Sequence, residues 1–427
     1  MELKINNIGR VDKAEIQMHG ITVVAGANST GKSTVSKSLY AVLEMTCDLM
    51  DNARAQKTRS LRRCIQNWKR HYIPYLQISE LIGKTEAIYD QCKKQETSQA
   101  CEKYFADEMI KYIRNSFPEE YWDESKITDR VRSLYRDYFN IAEKDVSYYC
   151  KFVMQTVLED VFLKQANCLK NNREGSIRYT DLDTDIRIRI CNNQIDDSAI
   201  PYSAVFVWPI YITTPDLMDS VGTYQQLYSA ERYRSISHAN SRLSRLMMED
   251  LDPSHLTAEE YQKISEQKLQ LKELFKEVLE GELSFESNRF VYHDRWCDSD
   301  IEMSNIASGM KIFLILQRLT ENGIFLKQTC LIVDEPETNL HPEWQLKLAH
   351  LFVLLYLHFD ICIYLNSHSP YFVRAIEYYS DLHQILNKCN FYVMDKDHET
   401  GMCQSECVTD NLGAIYDNMA EPFNKIM

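Results

Sequence analysis

The sequence predicts an α/β fold, a mixed and mainly parallel sheet flanked by helices and interrupted by a large, mainly helical insertion. Three observations predict it. The apolar run Ile21-Thr22-Val23-Val24-Ala25 reads as a strand buried on both faces, and it runs directly into a glycine-punctuated turn and a helix. Beyond Ser284, short apolar runs alternate with helical segments of about 10 to 15 residues, as a parallel sheet with helical crossovers requires. Between these two regions the texture is helical and rich in charge and tyrosine.

Element by element, Leu3–Ile5 and the alternating Ala14–Met18 are short strands that precede Ile21–Ala25. From about Thr46 to about Ile186 helices dominate, with breaks expected near Pro74, Gly83 and Pro118. Ile186–Ile190 and Val205–Thr213 are strand-like and are expected to rejoin the first sheet, after which a helical block runs to Gly281. Its last helix opens on a capping box, Thr257 with Glu260, and carries Tyr261, Ile264, Leu271, Phe275 and Val278 on one stripe. Then come strand-like SFESNRFVYHD, a helix after Ser308, the strand Cys330–Val333, a helix after Pro342, the strand Ile361–Leu365, another helix and the strand Phe391–Met394. The expected division is therefore an N-terminal lobe (1–45), the insertion (46–283) and a C-terminal lobe (284–427), with no internal repeat.

Composition narrows the function. At 44% hydrophobic and 26% charged residues, with 12 Gly and 10 Pro among 427 residues, the chain is globular and neither fibrous nor low-complexity. Its 48 basic and 62 acidic residues give −14, so the average field repels phosphate, which disfavours a generic polyanion binder, and any nucleic-acid contact must come from a local patch. The 13 cysteines are odd in number and form no C-x-x-C pair. Cys403 and Cys407 are the nearest pair and have no zinc-site counterpart, so reduced, packed thiols and a cytoplasmic location are expected. The first 20 residues lack the apolar core of a signal peptide. The longest apolar run, Leu351–Leu365, contains His358 and Asp360 and falls short of the ~20 residues of a membrane span, so no membrane association is expected.

Gly26-Ala27-Asn28-Ser29-Thr30-Gly31-Lys32-Ser33 satisfies G-x-x-x-x-G-K-[ST] in the strand–turn–helix context that gives the pattern its meaning. Glycines let successive backbone N–H groups converge on one anion, and the helix N-terminus adds partial positive charge. Asn28, Ser29, Thr30, Gly31, Lys32, Ser33 and Thr34 are thus the candidate nucleotide-phosphate contacts, with Lys32 reaching the β- and γ-phosphates and Ser33 ligating Mg2+. The apolar strand Cys330–Val333 ends in Asp334 and Glu335. Asp334 is the candidate second magnesium ligand and Glu335 the candidate base that polarises a water for attack on the γ-phosphate.

Three weaker pieces follow the same logic. Ser308-Gly309 opens a helix, Glu337–Pro342 follows the carboxylates, and His368, in Leu365-Asn366-Ser367-His368-Ser369-Pro370, stands at a strand end able to donate to phosphate. In this order the set resembles the ATPase heads of the ABC superfamily, specifically the SMC/RecF-like group and its bacterial offshoot related to the OLD (overcoming lysogenization defect) ATPases. The resemblance covers about residues 1–45 and 284–427. It implies that Ser308 and Gly309 match the signature loop, His368 the switch histidine, and Glu337–Pro342 the dimer-facing loop. It also implies a homodimer that sandwiches two ATP molecules, each bound by one subunit's P-loop and the other's Ser308 and Gly309. Met310 and Lys311 replace residues of the transporter LSGGQ pattern, which argues against an ABC transporter subunit; Lys311 either adds charge toward the trans phosphate or is solvated.

Heads of the SMC type carry a long coiled coil at the insertion. Here Pro74, Pro118 and the crowding of Tyr104, Tyr112, Tyr121, Trp122, Tyr135, Tyr138, Tyr148 and Tyr149 favour a compact helical subdomain with the aromatics as its core. Asn52–His71 carries Arg54, Lys57, Arg59, Arg62, Arg63, Lys69 and Arg70 with no acid, either a solvated face or a contact for nucleic acid or an acidic partner. Thr213-Thr214-Pro215-Asp216 is the Q-loop candidate by position.

The resemblance implies an ATP-hydrolysing molecular switch controlling a separate effector, a nuclease or toxin, as in the two-gene anti-phage systems Septu and PARIS, with DNA or a phage-derived molecule as trigger. One alternative is a RecF/SMC-type DNA repair or chromosome-maintenance ATPase. The other is a self-contained OLD-type nuclease, against which stand the 59 residues left after His368 and a D-x-D, Asp395 and Asp397, without a companion glutamate motif.

Overall fold

A computed structural model of the chain describes residues 1–72, 76–115, 124–170, 173–182, 184–196, 207–220, 238–248, 258–287, 289–325 and 328–424. They form two compact units, Met1–Cys47 with Met154–Met427, and Asp48–Val153.

The strands are β1 (Glu2–Ile8), β2 (Val11–Gln17), β3 (Ile21–Ala25), β4 (Gly175–Asp181), β5 (Thr184–Cys191), β6 (Gln194–Ile195), β7 (Trp208–Ile212), β8 (Gly281–Glu286), β9 (Arg289–Asp294), β10 (Ile301–Glu302), β11 (Thr329–Asp334), β12 (Cys362–Ser367), β13 (Cys389–Lys396) and β14 (Cys403–Cys407). The helices are α1 (Lys32–Thr46), α2 (Leu49–Tyr72), α3 (Ile78–Cys92), α4 (Ser98–Asn115), α5 (Glu124–Ala142), α6 (Val146–Phe162), α7 (His238–Met248), α8 (Ala258–Val278), α9 (Ser308–Glu321), α10 (Pro342–Phe359), α11 (Pro370–Leu382) and α12 (Gly413–Asn424).

The first unit is built on a mixed sheet of order β6-β5-β4-β1-β2-β14-β13-β3-β12-β11-β7. Its half from β13 to β7 is parallel throughout, and there β3, β11 and β12 are apolar along nearly their whole length because helices cover both faces. In the other half, β1, β2, β4 and β5 alternate buried and exposed residues in antiparallel ladders, as one-sided strands do. A separate antiparallel sheet has the order β10-β9-β8.

The boundaries drawn from texture need correction. The described residues between Met154 and 283 belong to the unit that holds the sheet, and the separate helical unit ends at Val153 rather than 283. The cause is packing: Leu243 and Met247 of α7 and Leu271, Phe275 and Val278 of α8 are buried in one core with β3, β11 and β12, so a helical stretch of sequence is divided between two bodies. β4 and β5 pair next to β1, and β7 pairs next to β11. On α8, Leu271, Phe275 and Val278 are buried but Tyr261 is exposed. Thr257 and the side chains of Glu260 and Ile264 lie outside the described residues, so the expected capping box does too.

The second unit contains α2 to α5, with a core that includes Ile65, Trp68, Leu81, Phe105, Met109, Val131, Leu134, Tyr135 and Tyr138. The Trp68 indole donates to the Arg130 carbonyl at 2.7 Å, and the Tyr89 and Tyr138 rings meet edge-on at 4.9 Å. Of the tyrosines picked out by sequence, Tyr135, Tyr138 and Tyr149 are buried, Tyr104 and Tyr112 pack at the margin, and Tyr148 is exposed. Pro74, Pro118, Tyr121 and Trp122 lie outside the described residues. The break expected at Gly83 does not occur. α3 runs through it, and a β-carbon there would meet open space.

Candidate nucleotide-binding site

The site lies where the parallel strands end. β3 delivers the chain into Gly26, whose φ is 150° and where a β-carbon would stand 2.6 Å from the Met394 carbonyl. Gly31, the N-cap of α1, has φ 90° and leaves no room beside Val11. These two positions need glycine both for conformation and for close approach. Between them Asn28 and Ser29 are exposed, whereas Thr30 is buried and its hydroxyl donates to the Ala27 carbonyl at 2.8 Å, bracing the loop from inside. Thr34 is half-buried, and Ser33 is exposed in the first turn of α1.

Lys32 is buried to 4% exposure, and its Nζ donates to the carbonyls of Gly26 and Ala27 at 2.8 Å each. Burial pulls its amine below the ordinary lysine value, and Glu335, Glu337 and Asp334 oppose that shift by their charge. Lys32 and the carboxylates Asp334, Glu335 and Glu337 are thus near enough for their charges to act on one another.

Asp334 accepts from three side chains: Ser36 at 2.7 Å, Tyr211 at 2.7 Å, and the Asn366 amide. Sequence reasoning missed all three. Ser36 lies one helical turn past Ser33, which was a usable signal. Asn366 stands opposite Asp334 in the β11–β12 register, and Tyr211 opposite Ile332 in the β11–β7 register, neither of which a single sequence discloses. The Tyr211 hydroxyl is held well above the ordinary phenol value, first by burial and then by the Asp334 charge.

Glu335 turns out of the strand with φ 47°, tied back by its N–H to the Asn366 carbonyl at 3.0 Å. Its Oε1 is 3.7 Å from His368 Nδ1, and both side chains are partly exposed. Glu337, unremarked in the sequence beyond its place in the following loop, is buried. Its Oε1 accepts from the Ser367 hydroxyl at 2.7 Å and from the backbone N–H groups of His368 at 2.8 Å and Ser369 at 3.2 Å, and lies 3.5 Å from His368 Nδ1. Burial raises its carboxyl above the ordinary value, against those hydrogen bonds. One buried carboxylate thus anchors the turn that presents the histidine.

Ser308 and Gly309 open α9. Ser308 Oγ donates to Asp216 at 2.6 Å, and a β-carbon on Gly309 would be 2.6 Å from the Asn339 carbonyl. Among the described residues no hydrogen bond or ion pair joins them to the Gly26–Ser33 loop. The Thr213–Asp216 stretch, chosen as the Q-loop candidate, meets the signature candidate through Asp216. Lys311 is neither solvated nor aimed at open space: it is buried, and its Nζ contacts Asp219 at 2.7 and 2.9 Å. Asp397 caps its own turn, accepting from Glu399 and Thr400 N–H groups, and no group of three or more His, Cys, Asp or Glu among the described residues is placed to hold a metal.

A scan against protein-family models and a search of curated proteins find no match. Among solved structures, the chain is similar at low level to an Smc head bound to the C-terminal winged-helix domain of ScpA, with 9% identity, TM-score 0.41, and 97% of this chain and 98% of that one covered. It is similar also to the SMC head domain from Thermotoga maritima (9% identity, TM-score 0.37, 95% and 98% covered) and to an Smc head with an extended coiled coil from Pyrococcus furiosus, bound to the C-terminal domain of ScpA (8%, 0.39, 97% and 98%). Likeness of this strength carries no argument about activity or partners. Among the described residues no helix is long and apolar enough to cross a membrane.

Proposed function

We propose that the chain is an ATP-binding and ATP-hydrolysing switch of the ABC/SMC-like kind, whose two copies close around ATP and whose state is passed to a separate effector protein. The observation that supports it most directly is the shared site at the strand ends: buried Lys32 in its loop, Asp334 held by three donors, and Glu335 turned out beside His368. ATP is the substrate. Lys32 offsets the β/γ-phosphate charge, and loop N–H groups with the N-terminus of α1 cradle the same oxygens.

Mg2+ takes hard oxygen ligands, and the exposed Ser33 hydroxyl and the Asp334 carboxylate suit it. Bound there, it would neutralise charge on the phosphates. Glu335 accepts a proton from the attacking water as the water oxygen bonds to the γ-phosphorus and the bond to ADP breaks. His368, oriented through Glu337, donates toward the γ-phosphate. Ser308 and Gly309, joined to their own Gly26–Ser33 loop by no hydrogen bond or ion pair among the described residues, serve the partner's nucleotide in the closed dimer. An anti-phage role, with a nuclease or toxin as effector and DNA or a phage product as trigger, extends this reading; a repair or chromosome-maintenance ATPase is the alternative.

Hydrolysis assays and light scattering with ATP test it. Lys32→Ala is expected to abolish hydrolysis and weaken ATP binding, while Glu335→Gln is expected to slow hydrolysis and accumulate an ATP-bound dimer. Near-normal turnover in both variants would refute the site.

A further inference from the structure

We propose that the outward arginine face of α2 is a docking surface for nucleic acid, engaged through the phosphate backbone and indifferent to base sequence. Seven basic residues lie on α2 from Arg54 to Arg70 without an acid among them, and the structure sorts them. Arg54 is paired with Asp51 at 3.1 Å, and Lys57 donates to the Lys144 carbonyl at 2.9 Å. Arg59, Arg62, Arg63 and Arg70 are exposed and enter no ion pair among the described residues. At about 3.6 residues per turn they fall within roughly 100° of arc, opposite the buried Ile65 and Trp68, and they extend over about 17 Å of helix.

The charge around them points the same way. The unit Asp48–Val153 holds 19 basic and 17 acidic residues, +2, which leaves −16 for the rest of the chain. Positive charge is thus collected on the one unit that carries the stripe, in a protein whose remainder repels phosphate. A protein partner is disfavoured by the character of the face. Between Asn52 and Arg70 the outward arc holds Asn52, Ala55, Gln66 and the four arginines, with no aromatic or large aliphatic side chain to anchor a protein interface. A row of unpaired guanidinium groups without apolar anchors suits closely spaced phosphates, which the planar fork binds bidentately.

The test uses the full chain and labelled duplex DNA of two unrelated sequences, read by fluorescence anisotropy across a salt series. The proposal is independent of ATP hydrolysis, so its failure and the failure of the switch reading are separable. Expected is equal binding of both sequences, with log affinity falling by about 3 to 4 per decade of salt, since each phosphate contact contributes about 0.9. Arg59→Glu, Arg62→Glu and Arg63→Glu together should flatten that slope by about 3 and weaken binding at least about tenfold at low salt. If circular dichroism shows that this variant is unfolded, the triple Arg→Gln change replaces it, with the same flattening expected. Absence of DNA binding by the wild type, an unchanged slope in a folded variant, or binding of poly-L-glutamate in place of DNA would each overturn the proposal.

Discussion

Asp334 accepts from Ser36, Tyr211 and Asn366, which lie 298, 123 and 32 residues away in the chain. A carboxylate satisfied on both oxygens is held in one orientation, and that makes it useful as a ligand. Glu337 is the contrasting case, a buried carboxylate whose Oε2 has no hydrogen-bond partner among the described residues. Its raised carboxyl value has a consequence for stability. In the window from the ordinary 4.5 up to the raised folded value, the folded chain keeps a proton that the unfolded chain has lost, so Glu337 costs stability as pH rises through that window. Urea midpoints of wild type and Glu337→Gln, followed upward from about pH 4.5, should therefore show the wild type losing ground to the variant and the difference levelling off above the window. A difference that moves in favour of the wild type would mean that the hydrogen bonds from Ser367, His368 and Ser369 outweigh burial.

At the scale of the element, the start of α9 is fixed from two sides. Asp216 and Asp219, in the turn after β7, hold Ser308 and Lys311, while Gly309 presses on the loop after Glu337. The end of β7 that carries Tyr211 is thereby linked to the helix that carries Ser308, through a turn of six residues, Pro215–Ser220. In Ser308→Arg, the bulk and charge of arginine replace a small, half-buried hydroxyl at the first turn of this helix. ATP binding to the variant's own P-loop should remain near the wild-type level, and the ATP-dependent dimer should be lost, as fluorescent-nucleotide titration and light scattering would register.

For the whole molecule, a dimer with composite sites makes a directional prediction. Mixing Lys32→Ala with Ser308→Arg gives a heterodimer in which one site carries both lesions and the other none, so hydrolysis should partly return although each parent is inactive. Tagged purification verifies the heterodimer; no recovery in it would speak against independent trans sites. The purified wild type is also expected to hydrolyse ATP without cutting DNA or RNA, since Asp397 is spent on its own turn. Metal-dependent cleavage lost with Asp395→Ala and Asp397→Ala would point instead to a self-contained nuclease.

The sequence by itself determined what depends on neighbours along the chain: the buried β3, the glycine turn, the strand ending in Asp334 and Glu335, and the alternation of strands and helices after Ser284, because these are signals of local conformation and period 2 or 3.6 burial. Tertiary structure decided what depends on register and packing. It assigned the described residues between Met154 and 283 to the unit that holds the sheet, since α7 and α8 bury apolar residues in the core that also holds β3 and β11, a choice between surfaces that periodicity does not encode. It gave Asp334 its Tyr211 and Asn366 donors through parallel pairings across more than one strand, and it turned Lys311 inward to Asp219. A lysine's reach is set by the backbone it grows from, and only the folded chain puts an acid at the end of it.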